Sequence, residues 1–203
     1  MKRRLALIPA VLAPSSFGLA ALFGARRVPG YRHRDEPMSA LAAKQCQGAP
    51  IMVPGFLALG ASTWALAGAL DDTRVPRPIP SMMRTAAAAI VGAGVARQSD
   101  RSCPVRFMGD ENVTLSDDLH VLISMVAFGS WIMMPFVAAA RGRALHPPER
   151  LVSLAFGAVA LGGWVWTSAL IRRGSETWGG VAQRVTVGAA LGWYSVAAIV
   201  ASR

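Results

Sequence analysis

The chain has 203 residues, is 53% hydrophobic and only 16% charged, where soluble domains carry about 25% charged residues. Its apolar residues stand in long blocks, which excludes an ordinary soluble domain and points to membrane spans. The net charge of +10 comes from arginines that flank these blocks, where they can meet lipid phosphates and bias topology; no basic stripe is interleaved with aromatics, so nucleic acid is excluded as a partner.

Met1 to Arg4 is basic, and residues 5–24 are apolar. That run is longer than the roughly 7–15 residues of a signal-peptide core, so it reads as a first span. A cleaved signal peptide, with Lys2, Arg3 and Arg4 as its basic region, is the other reading. Pro9 and Pro14 are tolerable there as kinks. Residues 25–50 form a polar loop. Within it Asp35 is placed to cap a short helix, with Pro37 in its first turn. Met38, Leu41 and Ala42 would share one face of that helix, which either lies on the membrane surface or is part of an ordinary loop.

Residues 51–70 form the second span. Ser81 is expected to cap the third, over 81–97, from which Arg84 would snorkel back to the interface. Gly92-Ala93-Gly94 is no dinucleotide loop, because no strand precedes it and the third glycine is missing. The fourth span covers 119–140 and should kink at Pro135. The fifth covers 151–171 and the sixth 182–201. Stripes of small residues four apart suggest packing faces: Ala61, Ala65 and Ala69; Ala88, Gly92 and Ala96; Ala158 and Gly162; Gly188 and Gly192. The expected fold is all-α, a polytopic membrane protein with one membrane domain over 1–203 built as a six-transmembrane-helix bundle.

Six spans put both termini on one side, with the first, third and fifth loops on the other. Lys and Arg divide ten to eleven between the two sides, so the total does not orient the chain. The basic residues before the first span and the shorter loops on the terminal side place the termini in the cytoplasm and the protein in the cell membrane. Cys46 and Cys103 then both face outward, where an oxidising compartment permits a disulfide. Two separate thiols are the alternative.

Arg27-Val28-Pro29-Gly30-Tyr31, Ser39-Ala40-Leu41-Ala42, Gly48-Ala49-Pro50 and Gly55-Phe56 resemble the first-loop and second-span signature of a six-span membrane family, domain of unknown function 998. Cys103-Pro104, His120 at the start of the fourth span, and Gly180-Val181-Ala182-Gln183-Arg184 are similar to its later motifs. The order and spacing of these motifs cover nearly the whole chain. The family often carries an aromatic where Cys103 stands, a departure that fits a bridge particular to this subgroup. The resemblance implies a six-helix integral membrane protein and no established reaction.

Asp117 and His120 are three apart, so a helix would put them on one face. They could act as an acid–base pair or give two metal ligands, with Asp110 or His33 completing a site. No motif supports a metal or any cofactor. The structural alternative uses the same groups. Ser116 or Asp117 caps the fourth helix, His120 donates to a loop carbonyl, and Arg184 pairs with Asp117 or Asp118 to lock the third loop to the fifth. Gln183, Tyr31 and Ser39 complete the polar outer face as binding candidates, although Ser39 has no nucleophile elbow around it. Asn112-Val113-Thr114 matches a glycosylation sequon and is discounted. Trp131, Trp164, Trp166 and Trp193 read as packing or interfacial anchors. The sequence thus supports a structural or binding protein, with membrane lipids, a membrane protein or a second copy of itself as partner. A lipid head-group enzyme using His120 and Asp117, or a small-solute transporter, is the alternative.

Overall fold

The computed structural model describes residues 7–202 apart from 72, 74, 100–102, 104–113, 142–144 and 176. Lys2, Arg3, Arg4, Pro104, Asp110 and the residues Asn112 and Val113 of the sequon lie outside the described residues. Six α-helices and no strand occur among the described residues: α1 (Leu7–Ala25), α2 (Ala49–Leu70), α3 (Pro78–Val95), α4 (Leu115–Arg141), α5 (Pro147–Arg172) and α6 (Gly179–Ser202). Five of them, all but α3, are long and apolar enough to cross a membrane.

Several helices begin earlier than the hydrophobic runs suggest, for a backbone reason. Proline fixes φ near its helical value and lacks an N–H that a first turn could not satisfy anyway. Pro78 opens α3 and Pro147 opens α5. Ser81 is therefore inside α3 and not its cap. At α5, Glu149 Oε2 also reaches back to the His146 amide at 2.9 Å, the carboxylate half of a capping box. The helix ends just as definitely. Gly174 takes φ 64°, Ser175 donates to Leu170 O and Gly174 to Ile171 O, both at 3.0 Å. That pair of bonds is the Schellman motif, and glycine supplies its left-handed residue without strain. Pro14, Pro54 and Pro135 fall inside α1, α2 and α4.

The helices form a ring in chain order: each packs on the next, and α6 closes against α1. α6 also touches α2 and α4. It is the central helix, with 61% of its most apolar window buried against 22% for α5. Its Trp193 and Tyr194 are fully buried. Each indole on this axis finds a partner, Trp131 Nε1 donating to Tyr194 Oη at 2.8 Å and Trp193 Nε1 to Ser153 Oγ at 3.1 Å. A buried indole or phenol without such a bond would lose its full hydration.

The stripes of small residues are packing faces only in part: a Cβ at Gly92 would stand 3.2 Å from Ile123 and one at Gly192 2.8 Å from Phe156, and Ala69 packs against the core. Ala61, Ala65, Ala88, Ala158, Gly162 and Gly188 are exposed. α2 packs instead through Met52, Phe56, Leu59 and Leu66, and α5 through Ser153, Gly157, Ala160 and Gly163. In helices this rich in alanine and glycine, many faces offer a small pair four apart, so the spacing alone does not discriminate. Arg84 does not simply reach toward an interface: its guanidinium pairs with Asp71, just past the end of α2.

Candidate functional site

The first connection, between α1 and α2, folds down over one end of the ring. Its short 3₁₀ helix (Met38–Ala42) keeps Met38, Ala40, Leu41 and Ala42 buried. It is a plug against α1, α2 and α6, not an amphipathic helix on the membrane surface. Asp35 does not cap this helix. It serves the start of α6, where the first backbone N–H groups have no partner within their own helix. Asp35 Oδ1 accepts from the Trp178 amide, Asp35 O from Gly180 and Arg34 O from Val181, at 3.0–3.1 Å. Trp178 is held at φ 69°, a left-handed conformation that is costly for a bulky residue, with the Arg34 guanidinium over its ring at 5.5 Å.

Arg184, one turn into α6, completes this latch. Nη1 donates to the carbonyls of His33, Glu36 (3.1 Å) and Gly180 (2.8 Å). Nη2 donates to Tyr31 Oη at 2.7 Å and to His33 Nδ1 at 3.2 Å. Tyr31 in turn donates to Pro37 O at 3.1 Å. Gln183 Oε1 accepts from the Met38 amide at 2.8 Å. Gly180 lets the strands of this knot meet: a Cβ there would stand 2.5 Å from both His33 O and Glu36 O. The expected pairing of Arg184 with Asp117 or Asp118 is therefore replaced by a grip on the first loop, because a helix start crowded with loop carbonyls supplies more acceptors than a distant carboxylate. The environment shifts the nearby groups. Burial raises the Tyr31 phenol above its usual range despite the opposing pull of Arg184. Burial, then the Arg184 charge, lowers His33. The hydrogen bond from Arg34 is the main cause that lowers Asp35.

Asp117 and His120 lie at a different corner, between α3 and α4. Asp117 Oδ1 accepts from the Ser99 amide and Oδ2 from Ser99 Oγ, both at 2.8 Å; Oδ2 also accepts from the Thr114 amide at 2.9 Å and Thr114 Oγ1 at 2.6 Å. Thr114 O receives the amides of Asp117 and Asp118, so Thr114 stands at the cap position and Asp117 is the third residue of the helix, its carboxylate supplying that half of a capping box. The cap is thus Thr114 rather than Ser116 or Asp117. Ser116 instead donates from Oγ to Arg97 O at 2.7 Å. His120 is 3% exposed, and its Nδ1 lies 3.0 Å from Ala93 O and 2.9 Å from Ala96 O. Only a protonated Nδ1 can satisfy two carbonyls. Every polar atom of this pair that the structure describes as bonded faces a backbone group or hydroxyl, and neither residue lines a described cavity. His33 is engaged with Arg184 instead, and no group of three His, Cys, Asp or Glu side chains converges among the described residues.

A third set of bonds ties the first loop to the end of α3. Cys46 and Cys103 are joined as a disulfide, with Cα atoms 5.3 Å apart. Arg97 donates from Nε to Ala42 O at 2.8 Å and from Nη2 to Ala43 O at 3.1 Å, and Lys44 N donates to Gln98 O at 2.9 Å. The plug is held from both flanks.

An open cleft of about 530 Å³ lies at this end between α4, α5 and α6. Pro37 and Gln98 roof it. Phe128 and Trp164, whose rings lie 5.0 Å apart, stand on its wall with Met125 and Ile171. Ser124, Thr167, Ser168, Gln183 and Thr186 add hydroxyls and an amide. Gln98 Oε1 is buried without a hydrogen-bond partner, and Arg172 is exposed at the rim. Val121 and Met125 belong both to the cleft and to the exposed face of α4, so the cleft opens sideways. Ser124, Phe128 and Gln183 also bound a smaller inner cavity of about 40 Å³, reached by Ser39 and floored by Phe17, Phe56 and Trp131. Of the sequence candidates, then, Gln183 lines both spaces and Ser39 the inner one. The rest of the cleft escaped sequence reasoning. Its available signal was the polar set Ser124, Thr167, Ser168 and Thr186, which breaks three apolar runs near the same end of the bundle.

A ring of apolar helices, five of them long enough to span a bilayer, with a laterally open cleft, defines a multi-pass membrane protein. Residues 11–200 match the model of the family described as Protein of unknown function (DUF998), and the chain belongs to that family. No curated protein and no solved structure matches it.

Proposed function

We propose that this chain is a six-span protein of the cell membrane, with cytoplasmic termini, that holds one amphiphilic lipid in the cleft between α4, α5 and α6. α3 is taken as the sixth span: its 18 residues reach about 27 Å at a rise of ~1.5 Å each, close to the hydrocarbon thickness, and it packs between α2 and α4. The observation that carries the reading is the cleft itself. Its volume falls in the ~300–1,000 Å³ range of small-molecule sites. Its wall is aromatic and aliphatic, its roof carries an unpartnered amide oxygen, and a cation sits at its rim. A ligand with an apolar chain and a polar head matches all three.

Chemistry on lipid head groups fits less well. An acid–base pair needs access to its substrate, whereas His120 and Asp117 spend their hydrogen bonds on the α3–α4 corner. The inner cavity beyond the cleft is walled by Phe17, Phe56, Ile90 and Trp131, which gives a polar solute little reason to enter.

Native mass spectrometry of the protein in mild detergent tests the reading. The wild type should retain a lipid. Ser168→Trp, which fills the cleft from a half-buried position, should lose it, and His120→Asn should keep it. Retention by Ser168→Trp together with loss from His120→Asn would move the site to the α3–α4 corner and reverse the conclusion.

A further inference from the structure

A second, separate groove lies on the opposite flank of the plug. Lys44, Cys46 and Arg97 form its upper rim, and Ala49, Pro50, Val53 and Pro54 of the first turns of α2 form its floor, around a volume of about 410 Å³. Its upper half is cationic. Lys44 is exposed, and its ammonium makes no described hydrogen bond or ion pair. Arg97 is held in place by two neutral carbonyls, which orient the guanidinium without neutralising it. Five N–H groups are available on a guanidinium, so donors remain for a ligand. Among the described residues no carboxylate lines the groove. The lower half is apolar and lacks donors: Pro50 and Pro54 have no N–H, and they sit one turn apart on the helix, with half-buried Val53 beside them. The division between cations and apolar floor falls where α2 begins, the level at which a spanning helix leaves the head-group region.

We propose that this groove binds an anionic phospholipid, the phosphodiester between Lys44 and Arg97 and an acyl chain along Pro50, Val53 and Pro54. The site depends on the membrane setting and not on the α4–α6 cleft. A net charge of +10 favours anionic lipid throughout, but among the described cavities and residues only this groove pairs two cations with an apolar floor.

The test is lipid titration of the full chain in mild detergent, read by native mass spectrometry. Phosphatidylglycerol and phosphatidylcholine of the same chains are compared. The wild type should take phosphatidylglycerol first. Lys44→Gln should weaken it roughly fivefold, the effect of one basic residue near an anionic surface, and leave phosphatidylcholine unchanged; the melting temperature checks that this exposed substitution has not unfolded the protein. Val53→Trp, which keeps both charges but fills the floor, should also lose it. Millimolar inorganic phosphate should not displace it. Arg172→Gln should retain it, since that residue belongs to the other cleft. Equal affinity for the two lipids, an unaltered Lys44→Gln, full binding by Val53→Trp, or displacement by phosphate would each overturn the proposal.

Discussion

Two alanine substitutions on the same helix should move stability in opposite directions. Gly180 and Gly188 both belong to α6, and sequence alone gives little reason to separate them. A Cβ at Gly188 meets nothing within 4 Å. Gly188→Ala should therefore collect the helix-propensity advantage of alanine, at most about 1 kcal/mol. A Cβ at Gly180 would lie 2.5 Å from His33 O and Glu36 O and 2.7 Å from Arg184 Nη1. Carbon–oxygen contacts settle near 3.3 Å or more, so the loop would have to retreat by about 0.8 Å. Two of the three atoms are backbone and cannot rotate away. The third holds the latch, so yielding there loosens the bonds to Tyr31 and His33. Overpacking of this kind costs about 1–3 kcal/mol, and the first turn of a helix returns little of it in propensity. At ~2–4 °C per kcal/mol for a chain of this size, Gly180→Ala should melt several degrees below Gly188→Ala. Thermal unfolding of both variants in the same detergent measures the gap. Coincident melting curves would show that the first loop does not press on the α6 start as described.

The disulfide closes a segment of 57 residues, which in the chain-entropy picture is worth about 4 kcal/mol; Cys103→Ser, or reduction of the wild type, should lower the melting temperature, and an unchanged value would remove the bond from the stabilising contacts. The latch should also weaken with acid. The folded His33 has a lowered pKa, so below its ordinary value near 6.5 the released loop takes up the proton first, and stability falls from there down to the folded pKa; a second loss follows below about 4, where the lowered Asp35 must be protonated. Melting temperature measured from pH 7.5 to 3.5 should decline through the first window in the wild type and stay flatter there in His33→Gln.

The helices were legible because each apolar run is long and its ends carry prolines, glycines and arginines. Their starts were not, because Pro78 and Pro147 begin a helix before the apolar run does. The buried state of Met38–Ala42 was hidden for a related reason. A short run of Met, Leu and Ala gives the same pattern whether it faces lipid or a bundle interior, and only the partners on α1, α2 and α6 decide. Of the candidate residues, Arg184 is joined to the first loop and not to Asp117 or Asp118. Asp117 and His120 spend their bonds at the α3–α4 corner, whereas Arg184 turns to the first loop at the start of α6. Which carbonyl fills an arginine's donors is a matter of tertiary placement, here of the first loop against α1, α2 and α6. The cleft needed even more: Ser124, Thr167 and Thr186 come from three helices and read singly as tolerated hydroxyls.

The way the plug is fastened constrains how a ligand could reach the cleft. Asp35 and Arg184 bind it to α6 on one flank, while Arg97 just past α3 and the disulfide to Cys103 in the α3–α4 connection hold it on the other. Lifting it would break buried hydrogen bonds at two helix ends and one covalent bond. α4 and α5 carry none of these fastenings, and the cleft's outer residues Val121 and Met125 are already exposed on α4. Between α4 and α5 the described contact is side-chain packing, such as Phe128 against Trp164, which rotamer changes can restore. A lipid moving within the bilayer meets that seam directly and keeps its chain in apolar surroundings throughout, whereas a water-borne solute would have to pass the sealed end. The fastened plug thus leaves the side of the bundle as the accessible route, and it favours a ligand supplied by the membrane.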